Sequence, residues 1–175
     1  MRKNFLLNSR SARRLYASVK DLPIIDYHNH LSLSDIAVNK RFTDVYELWI
    51  KPDPYKHRAM RMCGVSEDYI TGDRSGEEKF IKWCEILPRM LGNPLYHWAL
   101  MELSQIFGID ELPCSKNAKI IYDRCNAYLS DNEITVEALL KKFNVELICP
   151  CASLVDELFA FSRSEEHTSE LQSLY

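Results

Sequence analysis

The sequence predicts an α/β chain that is mostly helical, with two buried strands separated by about five or six helices. Residues 22–30 read LPIIDYHNH, which begins as a run that is apolar on both faces, as in a buried parallel strand. A second apolar run, VELIC, occupies residues 145–149. Between the two runs, apolar residues recur three and four positions apart, which is the period of helices packed on one face. Because two strands cannot form a stable sheet alone, we expect the complete fold to contain further strands.

Local signals define the first elements. Ser11 is a helix-capping residue, and Leu15 and Val19 fall on the inner face of the helix that it would begin. The first strand is predicted over residues 23–30, and an apolar-rich helical turn follows Thr43. One short helix is therefore expected before the first strand, and a long helical region after it.

A capping residue followed by proline predicts the start of two later helices, at Asp53-Pro54 and Asn93-Pro94. Glycine is expected to end them, near Gly64 and at Gly108. Pro88 should kink or shorten a third helix that begins near Glu77. The predicted inward residues of the later helices are Phe80, Cys84, Leu87 and Leu91, then Tyr96, Leu100, Leu103 and Phe107, then Ala118, Ile121, Cys125 and Leu129. The predicted caps of the last two helices are Ser115 and Thr135.

Composition limits the class of protein. A net charge of −3 argues against a general nucleic-acid binder, which needs a basic excess to neutralise phosphates. The N-terminus lacks the apolar stretch of a secretory signal, and no run approaches the roughly 18 apolar residues of a membrane helix. We therefore expect a cytoplasmic protein with no nucleic-acid or membrane partner. The six cysteines are scattered, and the Cys149-Pro-Cys151 spacing is not that of a zinc ribbon.

The end of the sequence has a different character. Residues 163–173 read RSEEHTSELQS, with neither an apolar period nor a helix cap. The same stretch is the in-frame translation of a widely used DNA-sequencing adapter. We therefore expect residues 163–175 to be an artefactual, adapter-derived tail, and the gene read to be truncated before it.

A pair of histidines ends the first strand. Side chains alternate across a strand, so His28 and His30 are expected to point the same way. Two neutral imidazoles on one face can hold a transition-metal ion, and a catalytic site leaves a position open for water or substrate. Asp26 would lie on the same face, either as a partner that orients an imidazole or as an ordinary polar residue. The spacing therefore indicates a metal-dependent enzyme.

Further motifs surround this pair in a fixed order. They read PIIDYHNHL at 23–31, YKHRAMR at 55–61, GV at 64–65, YITG at 69–72, GNPLYHW at 92–98 and FG at 107–108. Together they resemble the uronate isomerases of the amidohydrolase superfamily, over a stretch from about Phe5 to Leu158. Because several separate motifs agree, the resemblance is far more specific than the histidine pair alone.

The resemblance implies the N-terminal part of a (β/α)8 TIM barrel with a large helical insertion after its first strand. It implies interconversion of D-glucuronate with D-fructuronate, and of D-galacturonate with D-tagaturonate, through an enediol. A uronate sugar would be the small-molecule partner, and the full-length enzyme could be an oligomer. His28 and His30 match the family's ligands for a divalent metal ion, here expected to be zinc. Tyr55 matches a tyrosine that contacts the substrate, so it is predicted to be catalytic and substrate-binding.

The sequence also departs from the family pattern. Pro54 stands where the family commonly has a histidine, whose role therefore cannot be transferred. His57, about one helical turn further on, is either a substitute for it or a surface residue. Residues 150–154 read PCASL, where the family usually reads TTDDP. Arg58 and Arg61 could meet a carboxylate, although helix arginines are more often solvated or paired.

The predicted organisation is an N-terminal helix and strand over residues 1–34, a helical insertion over 35–143, and a second strand with its following segment over 144–162. The third metal ligand, the carboxylate-binding arginines and the general base are expected from later strands. We therefore expect no isomerase activity from this chain alone. Two alternatives remain open, a metal-dependent hydrolase of an amide or lactone and a non-enzymatic helical interaction module with structural histidines.

Overall fold

The computed structural model describes residues 7–151 of the 175-residue chain. The elements in chain order are α1 (Arg10–Val19), β1 (Ile24–Asn29), α2 (Leu33–Ala37), α3 (Val45–Trp49), α4 (Pro54–Met62), α5 (Gly76–Ile86), α6 (Pro94–Phe107), α7 (Ala118–Asp131), α8 (Val136–Lys142) and β2 (Val145–Pro150). This order confirms a mostly helical chain with a strand near each end. The segment predicted to follow the second strand and the predicted adapter-derived tail lie outside the described residues.

The chain divides into two compact units. The helical unit is Phe42–Glu133 and contains α3 to α7. The strand unit consists of the described parts of Asn4–Arg41 and Ile134–Tyr175 and contains α1, α2, α8 and both strands. Over residues 7–151, no helix combines the length and the apolar content that are needed to cross a bilayer.

The strand unit is built on one parallel pair. β1 pairs with β2 so that Ile25 lies opposite Leu147 and Asp26 opposite Ile148. The predicted parallel pairing is therefore confirmed. The predicted burial of β1 is wrong for the described residues, since Ile24 and Ile25 are each about half exposed. Parallel strands are normally covered on both faces, and the described part of the chain covers this pair incompletely.

The first helix differs from its prediction both in where it begins and in how much of it is buried. It begins at Arg10 rather than after Ser11, because the Ser9 hydroxyl accepts a hydrogen bond from the backbone N–H of Ala12 at 3.0 Å. Leu15 and Val19, which were expected to face inward, are mostly exposed. Within the described residues, this helix therefore has an apolar face that no core covers.

A short helix that the sequence did not predict joins the strands to α8. This helix, α2, is capped by Ser32 and packs on α8. The Asn39 side chain bridges the two helices, since its amide donates to Glu137 and its oxygen accepts from the Glu137 backbone N–H. These contacts hold α8 in place, and α8 in turn packs on β2.

The helical unit is organised around α5. This helix packs on α3, α4 and α7, and its Phe80 and Trp83 are fully buried. Trp49 lies 5.9 Å from Phe80 and 6.4 Å from Trp83 between ring centroids, the second contact being edge-on. Cys84 and Cys125 are also fully buried, and burial raises the pKa of the Cys125 thiol to about 12. These two cysteines therefore act as small apolar core residues, as expected.

The predicted proline starts and glycine stops are confirmed. Asp53 and Asn93 accept hydrogen bonds at the starts of α4 and α6, and Gly108 ends α6 in a left-handed conformation at φ +66°. Pro88 shortens α5 as predicted, because a separate 3-10 turn, Leu87–Arg89, follows Ile86. The predicted cap of α7 was misplaced by two residues, since Asn117 rather than Ser115 precedes this helix, and Asp44, the residue after Thr43, caps α3.

The buried faces were predicted less well than the ends. On α6, the buried residues are Leu95, Ala99 and Leu103. Leu103 was predicted, but the predicted Tyr96, Leu100 and Phe107 are only half-buried. Leu91 was expected to face inward but is exposed. On α7, by contrast, the four predicted residues Ala118, Ile121, Cys125 and Leu129 are all buried.

Candidate functional site

The two histidines lie together at the carboxyl end of β1. His28 belongs to the strand and His30 follows its last residue, and both side chains are exposed. The ring centroids are 5.2 Å apart, with one ring edge-on to the other. Strand alternation therefore brings the imidazoles together as predicted.

A cysteine from the neighbouring strand joins this pair. Cys151 follows the last residue of β2, and its Sγ lies 3.2 Å from Nδ1 of His28 and 4.0 Å from Nε2. Its backbone N–H donates to the carbonyl oxygen of Asn29 at 2.8 Å, between the two histidines in sequence. No local sequence pattern predicts this contact, because it joins residues 123 positions apart.

The donor set fits part of a site for a divalent metal ion. Two adjacent imidazoles are suitable ligands for zinc and similar ions, which prefer four ligands at catalytic sites when bound water is included. Within residues 7–151, however, no group of three or more His, Cys, Asp or Glu side chains is arranged to hold a metal ion. His28 and His30 would thus supply two ligands, and any further protein ligand would come from outside the described residues.

A groove in the helical unit contains the predicted tyrosine. Tyr55 and Arg58 from α4 line a cavity of about 450 Å³ together with Asn93 and Trp98 at the start of α6. Tyr55 is 64% exposed, so its hydroxyl is accessible. The remaining lining is apolar, from Ala59, Met62, Pro94 and Leu95. A cation, a phenol and an amide beside an apolar wall suit a ligand that carries a carboxylate and hydroxyl groups.

A buried charge pair fixes the helix that carries Tyr55. The ammonium of Lys56, only 5% exposed as a residue, lies 2.9 Å from Asp53 Oδ2 and 5.1 Å from the Trp49 ring centroid. Burial alone would raise the pKa of the Asp53 carboxyl, but the charge and hydrogen bonds of Lys56 and nearby backbone N–H groups hold it below its ordinary value. Because Lys56 points inward, its neighbour Tyr55 faces outward into the groove.

The other arginine of α4 is engaged elsewhere. Arg61 donates to Glu67 through Nε at 2.9 Å and through Nη2, and Thr71 donates to the same carboxylate. These hydrogen bonds lower the pKa of Glu67 to about 2. Arg61 is thus paired, and Arg58 is the arginine of this helix that lines the groove.

His57 is not among the residues that line the groove. Its ring is half-buried, and within the described residues its buried Nε2 has no hydrogen-bond partner. Burial, and then the charge of Arg61, lower the pKa of this histidine. His57 therefore does not lie where a substitute for the histidine that Pro54 replaces would be expected beside Tyr55, and its half-buried ring is not that of a simple surface residue either.

His57 should make stability depend on pH. A lowered folded-state pKa means that the neutral ring stabilises the folded state above pH 6.5, and that this contribution is lost as pH falls through the folded pKa. We expect the free energy of unfolding to decrease between about pH 7.5 and 5.5, and His57→Gln to flatten this slope. Urea titrations of both proteins across this range measure the effect. Equal slopes would contradict it.

The predicted site residues therefore fall in two units. His28 and His30 lie in the strand unit and Tyr55 in the helical unit. Sequence reasoning missed the residues that accompany them, Cys151 in the first case and Asn93 in the second. Asn93 was identified as a helix cap, and its place in a groove depends on how α6 packs beside α4.

Comparison with known proteins identifies a family. A family model described as glucuronate isomerase matches residues 1–173. The uronate isomerase of Solibacter usitatus is 44% identical over 158 residues, covering 90% of this chain and 34% of that protein. The uronate isomerase of Shouchella clausii is 45% identical over 159 residues, with the same two coverages. The chain thus spans about a third of the length of these relatives.

Two solved structures that resemble this chain are also uronate or glucuronate isomerases. The uronate isomerase from Thermotoga maritima superimposes with a TM-score of 0.85 at 38% identity, covering 94% of this chain and 36% of that one. The glucuronate isomerase from Caulobacter crescentus gives a TM-score of 0.75 at 32% identity, covering 83% of this chain and 33% of that one. Because the family match extends over nearly the whole sequence, the chain belongs to the glucuronate isomerase family.

Proposed function

We propose that this chain is the N-terminal third of a uronate isomerase that interconverts D-glucuronate with D-fructuronate and D-galacturonate with D-tagaturonate. The observation that carries the proposal is the pair of imidazoles at the carboxyl end of β1, in a chain that belongs to this family. Family membership favours this activity over the alternatives of an amide or lactone hydrolase and a helical interaction module. The reaction would take place in the cytoplasm.

The proposed architecture is a (β/α)8 barrel of the amidohydrolase superfamily, in which β1 and β2 are neighbouring strands. The parallel pairing of β1 with β2 supports this proposal, as does the exposure of Ile24 and Ile25, which a barrel interior and its outer helices would cover. Catalytic groups of such barrels lie at the carboxyl ends of the strands, where His28 and His30 are found. The helices between the two strands would form the insertion.

His28 and His30 would hold a divalent metal ion, with zinc the expected one. When bound, such an ion would supply Lewis-acid polarisation of a carbonyl or hydroxyl oxygen of the sugar, which would favour loss of the neighbouring proton. The two histidines would supply nitrogen ligands from the carboxyl end of β1, where both side chains are exposed and so accessible to an ion and a substrate.

Tyr55 and Arg58 would contact the uronate. The guanidinium of Arg58 suits the C6 carboxylate, and the accessible Tyr55 hydroxyl can donate to a sugar oxygen. An aldose–ketose isomerisation moves a proton between C2 and C1, and a hydrogen bond to the enediol oxygens would stabilise that intermediate. Tyr55 is thus proposed to bind substrate and to assist the chemical step.

A chimaera tests the proposal. Residues 1–151 of this chain would replace the matching N-terminal third of the Thermotoga maritima enzyme, and isomerisation of D-glucuronate would be followed. We expect the chimaera to be active and Tyr55→Phe to lower kcat/KM by about 10- to 100-fold, the cost of a lost hydrogen bond to a developing charge. An inactive, folded chimaera would contradict the proposal.

Two controls accompany this assay. Tyr69→Phe removes a hydroxyl from another tyrosine of the helical unit, whose ring is contacted by the Arg74 and Lys82 cations, and should leave kcat/KM near that of the chimaera. The 175-residue chain assayed alone should give no turnover, since its described residues hold no three-ligand metal group. Measurable turnover by the chain alone would show that it carries the whole site and would contradict this expectation.

A further inference from the structure

The inference concerns the sulfur beside the candidate metal ligands. Cys151 Sγ is nearer to Nδ1 of His28, at 3.2 Å, than to Nε2, at 4.0 Å. We propose that Cys151 is a positioning residue, whose sulfur accepts a hydrogen bond from Nδ1–H of His28 and leaves Nε2 to the metal ion. This inference rests on the proposed function, and it concerns a residue in the stretch where the sequence departs from the family pattern.

The backbone places Cys151 at this position. Pro150 lies opposite Asn29 in the parallel pair, and the next residue donates its N–H to the Asn29 carbonyl at 2.8 Å. Asn29 separates the two histidines in sequence, so this hydrogen bond fixes the cysteine backbone beside the pair. The contact with His28 therefore follows from strand pairing, not from a flexible side chain reaching across the surface.

The chemistry of imidazole ligands explains what the contact can do. A histidine binds a metal through the lone pair of one nitrogen, and the hydrogen bond made by the other nitrogen selects the tautomer and fixes the ring orientation. A cysteine sulfur is a weak acceptor that can serve as this partner. Since no three-ligand group exists within residues 7–151, the geometry favours an orienting role for Cys151 over direct ligation.

The first test needs no metal. In the 15N-labelled 175-residue chain, long-range proton–nitrogen correlations of the histidine rings report the tautomer of His28, assigned with His28→Gln. We expect the Nδ1–H form in the wild type, a shift towards the Nε2–H form in Cys151→Ala, and retention of Nδ1–H in Cys151→Ser, whose hydroxyl also accepts. Cys149→Ala is the matched control, because Cys149 is an exposed cysteine of β2, two residues before Cys151. Identical spectra for wild type and Cys151→Ala would overturn the inference.

The second test adds Co²⁺ as the probe to the metal-free chimaera, because the described residues of the chain alone supply only two ligands. We expect Cys151→Ala to weaken Co²⁺ binding by about 10- to 100-fold, with Cys151→Ser and Cys149→Ala near wild type. The wild-type complex should lack sulfur-to-cobalt charge-transfer absorption. Such a band, lost in Cys151→Ala, would make Cys151 a ligand and overturn the positioning role. A wild type that binds no Co²⁺ but shows the tautomer shift would overturn the proposed metal site and leave the contact with His28 supported.

Discussion

Trp83→Ala is expected to lower the free energy of unfolding of the helical unit by about 3–5 kcal/mol. Trp83 is fully buried on α5, the helix that packs on α3, α4 and α7, and its ring meets Trp49 edge-on. Removal of the indole leaves a cavity that the surrounding helices can fill only partly. A loss of this size is a large fraction of the 5–15 kcal/mol that stabilises a typical domain.

Urea denaturation followed by far-UV circular dichroism measures this loss, because the helices of this unit dominate the helical signal. Trp83→Phe should cost less, since a ring remains and the buried indole N–H has no hydrogen-bond partner within the described residues. Trp98→Ala makes the same change at a tryptophan that is 53% exposed, and should cost about 1 kcal/mol or less. Equal losses at Trp83 and Trp98 would contradict the assignment of the core.

The sequence predicted where helices begin and end better than which side of each helix is buried, and the reason is physical. A helix start such as Asp53-Pro54 is decided within a few residues, by one side-chain acceptor and one fixed φ angle, and the structure has both. The buried side of a helix is decided by what packs against it. Local periodicity therefore predicted wrongly that Leu15 on α1 and Leu91 after α5 face inward, since both are exposed.

The same distinction applies to the candidate site. The adjacency of His28 and His30 follows from strand alternation, so two positions in one sequence run were enough to predict it. The contact of Cys151 with His28 depends on the register between two strands that are far apart in sequence. The accessibility of Tyr55 depends on the inward turn of its neighbour Lys56, which an isolated helix pattern does not specify.

His28→Asn and His30→Asn are each expected to lower kcat/KM of the chimaera by about 10³-fold, with loss of bound metal. A metal ion that polarises the sugar oxygen contributes several kcal/mol to transition-state stabilisation, and about 4 kcal/mol corresponds to this factor. Two imidazoles that act on one ion work as a unit. The double variant should therefore lose little more than either single variant.

Steady-state assays together with metal analysis of each purified variant check this expectation. His57→Gln is the matched control, because it removes an imidazole that does not line the groove, and it should keep both activity and metal. A His28→Asn chimaera that lost metal but kept its activity would show that the reaction does not depend on the metal ion. A chimaera that kept metal in both single variants would instead show that the ion is held by other residues, and the pair at the end of β1 would no longer explain the site.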